Sequence, residues 1–246
     1  MEMWRRRGRS ISLSDIIFDI IVEASAMKVT LTFDNGPSPE GTTDQVLKLL
    51  DARGIKATFF VTGEQISRPG ARALAERADA EGHWIGNHTF SHTIIFGDNG
   101  TANSPHDEIG VTQDLLGGLV HRDRLFRPYG GGGIIGPKLL SPQAVDYLTS
   151  GGYSMILWNS VPRDWEGDAA WVDRCIDDVQ GQDWSVVVAH DLPTGAMDHL
   201  PRLLDRLEDI GAEHVQDFPA SCGPIRRGVI QGDISGLVTV PSIHHA

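Results

Sequence analysis

The sequence predicts an α/β fold: a parallel sheet, open or closed into a barrel, with helices packed over it. Three observations point there. Short β-branched or aromatic runs alternate with helical stretches from Met27 onward. The period of that alternation leaves room for a helix between successive strands, as a parallel connection requires. Polar residues also stand where the strands end, and in such folds sites assemble at the carboxyl ends of strands.

Strands are expected at residues 29–33, 57–62, 83–87, 125–127, 154–158 and 185–190, each a short Val-, Ile- or aromatic-rich run. Between them, residues 43–52 place Val46, Leu47, Leu49 and Leu50 at helical spacing and run towards Gly54. A second helix over 71–80 ends before Gly82, and both glycines fall in C-cap position. Further helices are expected at 144–150, 169–179 and 199–210. No internal repeat or low-complexity linker divides the chain, so residues 27–221 read as one domain. Residues 222–246 are spaced with Gly, Ile and Val in a way that suits a small hairpin or a partner contact, and they stay unassigned.

Residues 1–26 are a separate question. Arg5, Arg6 and Arg7 precede an Ile-rich stretch, and Ala24-Ser25-Ala26 resembles a signal-peptidase site. Asp15, Asp19 and Glu23 interrupt that stretch, however, and a secretory apolar region is normally free of charge. Ile16, Ile17, Ile20 and Ile21 instead mark one face of a short amphipathic helix, and Met27 is an alternative start. The expected location is cytoplasmic.

Composition removes several function classes. With 21 Lys+Arg against 33 Asp+Glu the formal charge is −12, unsuited to nucleic acid, whose phosphates call for a basic stripe. Hydrophobic residues at 40% suffice for a core, and charged residues at 22% are ordinary for a globular chain. No uncharged apolar run approaches the roughly 18 residues of a membrane span, so no membrane partner is expected. Two cysteines, Cys175 and Cys222, form no CxxC, which excludes a disulfide framework and a thiolate zinc site. The glycines at 130–133 match neither a dinucleotide fingerprint nor a P-loop. They read as a pliant loop that lets the chain turn sharply after Arg127-Pro128.

The strand ends carry the chemistry. The first strand runs into Asp34-Asn35, the third into His88, and the fourth delivers Arg127. The fifth leads after a loop to Asp164-Trp165, and Val186-Val187-Val188 delivers His190-Asp191. Singly these are weak signals: Asp34-Asn35-Gly36-Pro37 suits an Asx turn, and a lone H-x-x-x-H pair says little in a chain with 10 histidines. Five strands bringing Asp, His, Arg, Asp and His to one rim are hard to get by accident and mark that rim as a site.

The motifs that contain these residues resemble those of the polysaccharide deacetylase family, which includes the rhizobial chitooligosaccharide deacetylases. Thr32-Phe33-Asp34-Asn35-Gly36-Pro37 is similar to its first motif, and His88-Thr89-Phe90-Ser91-His92 to its second, H-[ST]-x-x-H. Arg127-Pro128-Tyr129-Gly130, Asp164-Trp165 and Val187-Val188-Ala189-His190-Asp191 resemble the third, fourth and fifth. All five stand in family order, over about residues 27 to 215. The resemblance implies an incomplete, distorted (β/α) barrel that hydrolyses an acetamide on a sugar, usually with a divalent metal: zinc first, cobalt or nickel as alternatives.

Carried over by resemblance, Asp34 is the general base, and His88 and His92 are metal ligands. Arg127 orients Asp34, and Asp164 tunes His190, the general acid for the departing amine. Tyr129 offers a backbone N–H to the oxyanion, and Trp165 lines the sugar groove. The reaction calls for such groups: a poor electrophile to polarise, a water to deprotonate, an amine to protonate as it leaves. The departure is Asn35, where the family usually has a metal-binding Asp. An amide oxygen coordinates without charge, so metal affinity should fall. Asn159 stands where many relatives have Asp, a milder departure. Two other readings compete: a small-molecule amidohydrolase for ureides or cyclic imides, with a closed pocket built by residues 91–121 and the C-terminal tail, and a catalytically silent sugar-binding relative.

Overall fold

The computed structural model describes residues 27–240; the helix and leader readings for residues 1–26 lie outside them. The expected alternation is present. Strands β1 (Lys28–Asp34), β2 (Thr58–Val61), β3 (Trp84–Asn87), β4 (Leu125–Phe126) and β5 (Ser154–Met155) run in parallel, and β6 (Trp184–His190) pairs with the other edge of β1. Beyond β5 the chain returns to β6: Val186 O accepts from Ser160 N, and Val188 N donates to Ser160 O. A single bridge, Ser160 to Val187, thus draws the sheet round on itself. Two-residue β4 and β5 and one-bridge closure make this a distorted, incomplete (β/α) barrel.

Alternation along β1 separates two faces, both buried. Val29, Leu31 and Phe33 pack outward with Val46, Leu47 and Leu50 of helix α1 (Thr42–Arg53). Thr30, Thr32 and Asp34 take the opposite, inward face and are buried too. Thr32 satisfies its hydroxyl by donating to Val187 O at 2.6 Å. The helix α1 ends at Gly54, whose φ of 65° is a left-handed cap. Residues Gly63–Ile66 form the short α2, capped by Thr62, and Ala71–Ala80 form α3.

A π-helical turn, Pro105–Gly110, leads into α4 (Val111–Leu116). The expected elements do not include it, because Pro, His, Asp, Glu and Gly give it no apolar periodicity. The helix α5 (Pro142–Ser150) starts with Ser141 accepting from Ala144 N and Pro142 in its first turn. Helices α6 (Trp171–Gln180) and α7 (Leu200–Asp209) close the outer layer; Leu200, Leu203, Leu204 and Leu207 form one buried stripe.

After α7, β7 (Glu213–His214) pairs with the start of β1. Part of the unassigned C-terminal stretch joins the same sheet. Strand β8 (Ile225–Arg226) pairs antiparallel to β5 and turns into β9 (Val229–Ile230), the hairpin that spacing allowed. No helix of the described residues is long and apolar enough to cross a membrane.

Candidate active site

One cavity of about 250 Å³ lies at the carboxyl ends of the parallel strands. Asp34, Asn35, His88, His92, Tyr129, Trp165 and His190 all line it, with the 130–133 glycine loop, Trp158 and Val161. Arg127 and Asp164 are fully buried behind these side chains. The structure therefore brings all nine expected site residues together. Residues 93–121 and 222–240 contribute nothing to the lining, so the closed pocket expected for a ureide hydrolase is not built from them.

Asp34 ends β1 with its side chain on the inner face. Arg127 donates from Nη1 to Asp34 Oδ1 at 2.8 Å and to Thr32 Oγ1 at 2.6 Å. Its guanidinium also lies 4.0 Å from the Phe60 ring centroid. Burial works to raise the Asp34 carboxyl, but Arg127, His88 and His190 outweigh it and hold it below the ordinary carboxylate range. Asp34 is a carboxylate at neutral pH.

His88 follows β3, and its Nδ1 lies 2.9 Å from Arg127 O. A carbonyl only accepts, so Nδ1 carries the proton and Nε2 keeps a lone pair, 3.4 Å from Asp34 Oδ2. His92 sits beside it, ring centroids 4.8 Å apart, and against Tyr129 at 4.3 Å. Burial pushes both imidazoles down, His92 to about 3. Both are neutral at pH 7, the form that coordinates metal. Their loop is held in uncommon backbone: Thr89 has φ 66° and His92 φ 55°. A β-branched residue in that region stores about 1–3 kcal/mol of strain, which the surroundings must hold in place.

Asn35 also has positive φ, 67°, a conformation Asn tolerates. Its Oδ1 is buried without a hydrogen-bond partner among the described residues. An orphaned amide oxygen beside two neutral imidazoles fits a divalent cation. Among the described residues no three His, Cys, Asp or Glu side chains form a metal-holding cluster, so the fit depends on that amide.

His190 ends β6. Its Nδ1 lies 2.7 Å from Asp164 Oδ1, and its backbone N–H donates to Asp164 Oδ2 at 2.8 Å. Burial works to lower the imidazole, but the Asp164 hydrogen bond and charge, with Asp34 and Asp191, raise it above its usual value. Trp165 stands edge-on to the ring at 5.4 Å and is 38% exposed, open to a ligand.

Sequence reasoning gave no site role to three residues that the structure brings in. Asp191 is buried, accepts from Thr43 Oγ1 at 2.5 Å, and burial raises it to about 6. Its carboxyl fills the space where a Cβ on Gly36 would stand, which explains that glycine. Trp158 is 6% exposed yet also lines the cavity, donating from Nε1 to Gly133 O at 3.0 Å. A Cβ on Gly130 would come within 2.6 Å of that indole, so Gly130 carries no side chain because it lies against Trp158. Glu108, on the π-helical turn, is buried under the histidine loop. No local pattern marks it. Asn159 has a structural explanation: its amide accepts from Val186 N and donates to Trp184 O, a pairing that Asp could not complete.

A profile of the polysaccharide deacetylase family matches residues 22–150, just over half of the 246-residue chain. The chain belongs to the polysaccharide deacetylase family. A peptidoglycan-N-acetylglucosamine deacetylase of Bacillus cereus is 31% identical over 197 residues, covering 76% of this chain and 66% of that protein. A chitooligosaccharide deacetylase of a Bradyrhizobium species is 30% identical over 168 residues, 66% of this chain and 70% of that one. Among solved structures, a family 4 acetyl xylan esterase from Clostridium thermocellum in complex with a cobalt ion is 26% identical. It superposes with a TM-score of 0.60, covering 76% of this chain and 86% of that one. The chain spans 66% of the Bacillus cereus relative's length and 38% of another curated relative's.

Proposed function

We propose that this polysaccharide deacetylase family member hydrolyses the N-acetyl amide of amino sugars in oligo- or polysaccharides. The observation that carries the reading is a pair of side chains in one cavity pushed in opposite directions: Asp34 held below the ordinary carboxylate range, and His190 raised above the ordinary imidazole value by its hydrogen bond to Asp164. A silent sugar-binding site has no use for such a pair. Relatives named for N-acetylglucosamine and chitooligosaccharide deacetylation support the substrate class.

His88 through Nε2, His92 and Asn35 through Oδ1 would hold a divalent metal: zinc first, cobalt or nickel as alternatives. When bound, that ion supplies Lewis-acid polarisation of the amide carbonyl. Asp34 takes the proton from the attacking water while Arg127 keeps the carboxylate ionised and aimed. The backbone N–H of Tyr129, which lines the cavity, would stabilise the oxygen where negative charge develops. His190 gives its proton to the departing nitrogen, held in one orientation by Asp164. An amine leaving group requires that proton, which favours an amide over an ester. Trp165 offers its exposed face to the sugar ring.

The rate should therefore be bell-shaped in pH. It falls at acid pH when Asp34 protonates, below the usual carboxylate value. It falls at alkaline pH when His190 loses its proton, above the usual imidazole value. In Asp164→Asn the partner that raises His190 loses its charge, so the alkaline limb should move to lower pH. A kcat/KM profile of both proteins measures this. An unmoved limb would assign the acid role elsewhere.

A further inference from the structure

We propose that Glu108 is the positioning residue that holds the His88–His92 loop in its ligand-presenting conformation. This rests on the metal reading above. Glu108 lies 16 residues beyond His92, on the π-helical turn Pro105–Gly110. Its Oε2 accepts from Phe90 N at 2.8 Å and from Ser91 N at 2.9 Å. Its Oε1 accepts from Ser91 Oγ at 2.7 Å. Three hydrogen bonds from one 7%-exposed carboxyl thus meet the stretch between the two histidines.

That stretch needs holding. Thr89 and His92 flank the two amides that Glu108 binds, and both have positive φ. Extended backbone would spread residues four apart by about 13 Å, whereas this loop sets the two rings 4.8 Å apart at the cavity wall. Asn87 secures the start of the loop, accepting from Thr89 N at 3.0 Å and donating to Ile109 O at 2.9 Å. Ile109 is on the same π-helical turn, so both anchors tie the loop to one element. A π turn widens the helix by a residue, a distortion that recurs at functional sites. Glu108 does not line the cavity. It acts through the loop, and partners of this kind typically carry about 10–100-fold in metal affinity.

The test uses the full chain, metal-stripped and titrated with Co2+, alongside amide hydrogen exchange. Glu108→Ala leaves two N–H groups without their acceptor. The expected result is a loss of Co2+ affinity of about tenfold or more, with exchange protection lost at Phe90 and Ser91 and kept across β1 and β6. Glu108→Gln keeps an amide oxygen for the two N–H groups and can donate to Ser91 Oγ, so it should stay within a few-fold of wild type. Ser91→Ala, which removes one of the three bonds, should fall between and serves if Glu108→Ala does not fold. Wild-type affinity and wild-type protection in Glu108→Ala would overturn the assignment. So would a uniform loss of protection over the whole sheet in both Glu108→Ala and Ser91→Ala, the mark of a purely structural residue. If wild-type protein takes up no Co2+, the metal reading fails, while exchange at Phe90 and Ser91 still reports whether Glu108 holds the loop.

Discussion

Asp34→Asn should lose amide hydrolysis by roughly 10²–10⁴-fold, the usual share of a general base. The substitution preserves shape. An amide oxygen at Oδ1 still accepts from Arg127, so the pocket keeps its outline, but the group can no longer take a proton from water. It also leaves the buried Arg127 guanidinium without its counter-charge. Stability should therefore fall together with activity, and the rate must be measured where circular dichroism shows the variant folded. KM should change far less than kcat, because no proton moves when substrate binds. Near-wild-type turnover in folded Asp34→Asn would remove Asp34 from the mechanism.

Arg127→Met should destabilise the fold by about 3–5 kcal/mol, the cost of stranding one member of a buried ion pair. Arg127 is among the largest fully buried side chains, and Asp34 is 3% exposed beside it. Its other bonds are to Thr32 Oγ1 and to the carbonyls of Ile156 and Leu157. One guanidinium therefore ties β1 to the chain that closes the barrel. Lysine offers a single ammonium and no fork, so Arg127→Lys should not restore the loss.

The effect on pH follows from the same pair. With Arg127 gone, burial of Asp34 has less opposing it, its pKa rises, and the acid limb of the rate should move to higher pH. Denaturant midpoints of the two single variants and of Asp34→Asn/Arg127→Met give the coupling. The double variant should lose clearly less than the sum of the singles, because the second substitution removes the charge stranded by the first.

Most of the fold and the site could be read from residue order. Strand positions and helix stripes were legible because burial repeats with periods of two and 3.6, and the strand-end polar residues because parallel sheets put sites there. The inward Thr30 and Thr32 of β1 show a limit of that reading. Alternating Thr suggests a solvent face, whereas these hydroxyls are buried inside the curled sheet. Glu108 and the π-helical turn were not legible either. Their roles depend on hydrogen bonds to backbone N–H groups 17 and 18 residues away, and no side-chain spacing records those. Asn35 was visible as a departure, but the orphaned Oδ1 that makes it a fitting ligand appears only in three dimensions.

The most direct test is acetate release. Protein loaded separately with zinc, cobalt and nickel would be incubated with N-acetylated chitooligosaccharides and peptidoglycan fragments, with acetate and new primary amine quantified together. The expected result is one acetate per amine formed, lost on chelation and restored by the metal. Metal-loaded, folded protein that releases no acetate from any of these amides would contradict N-deacetylation at this site.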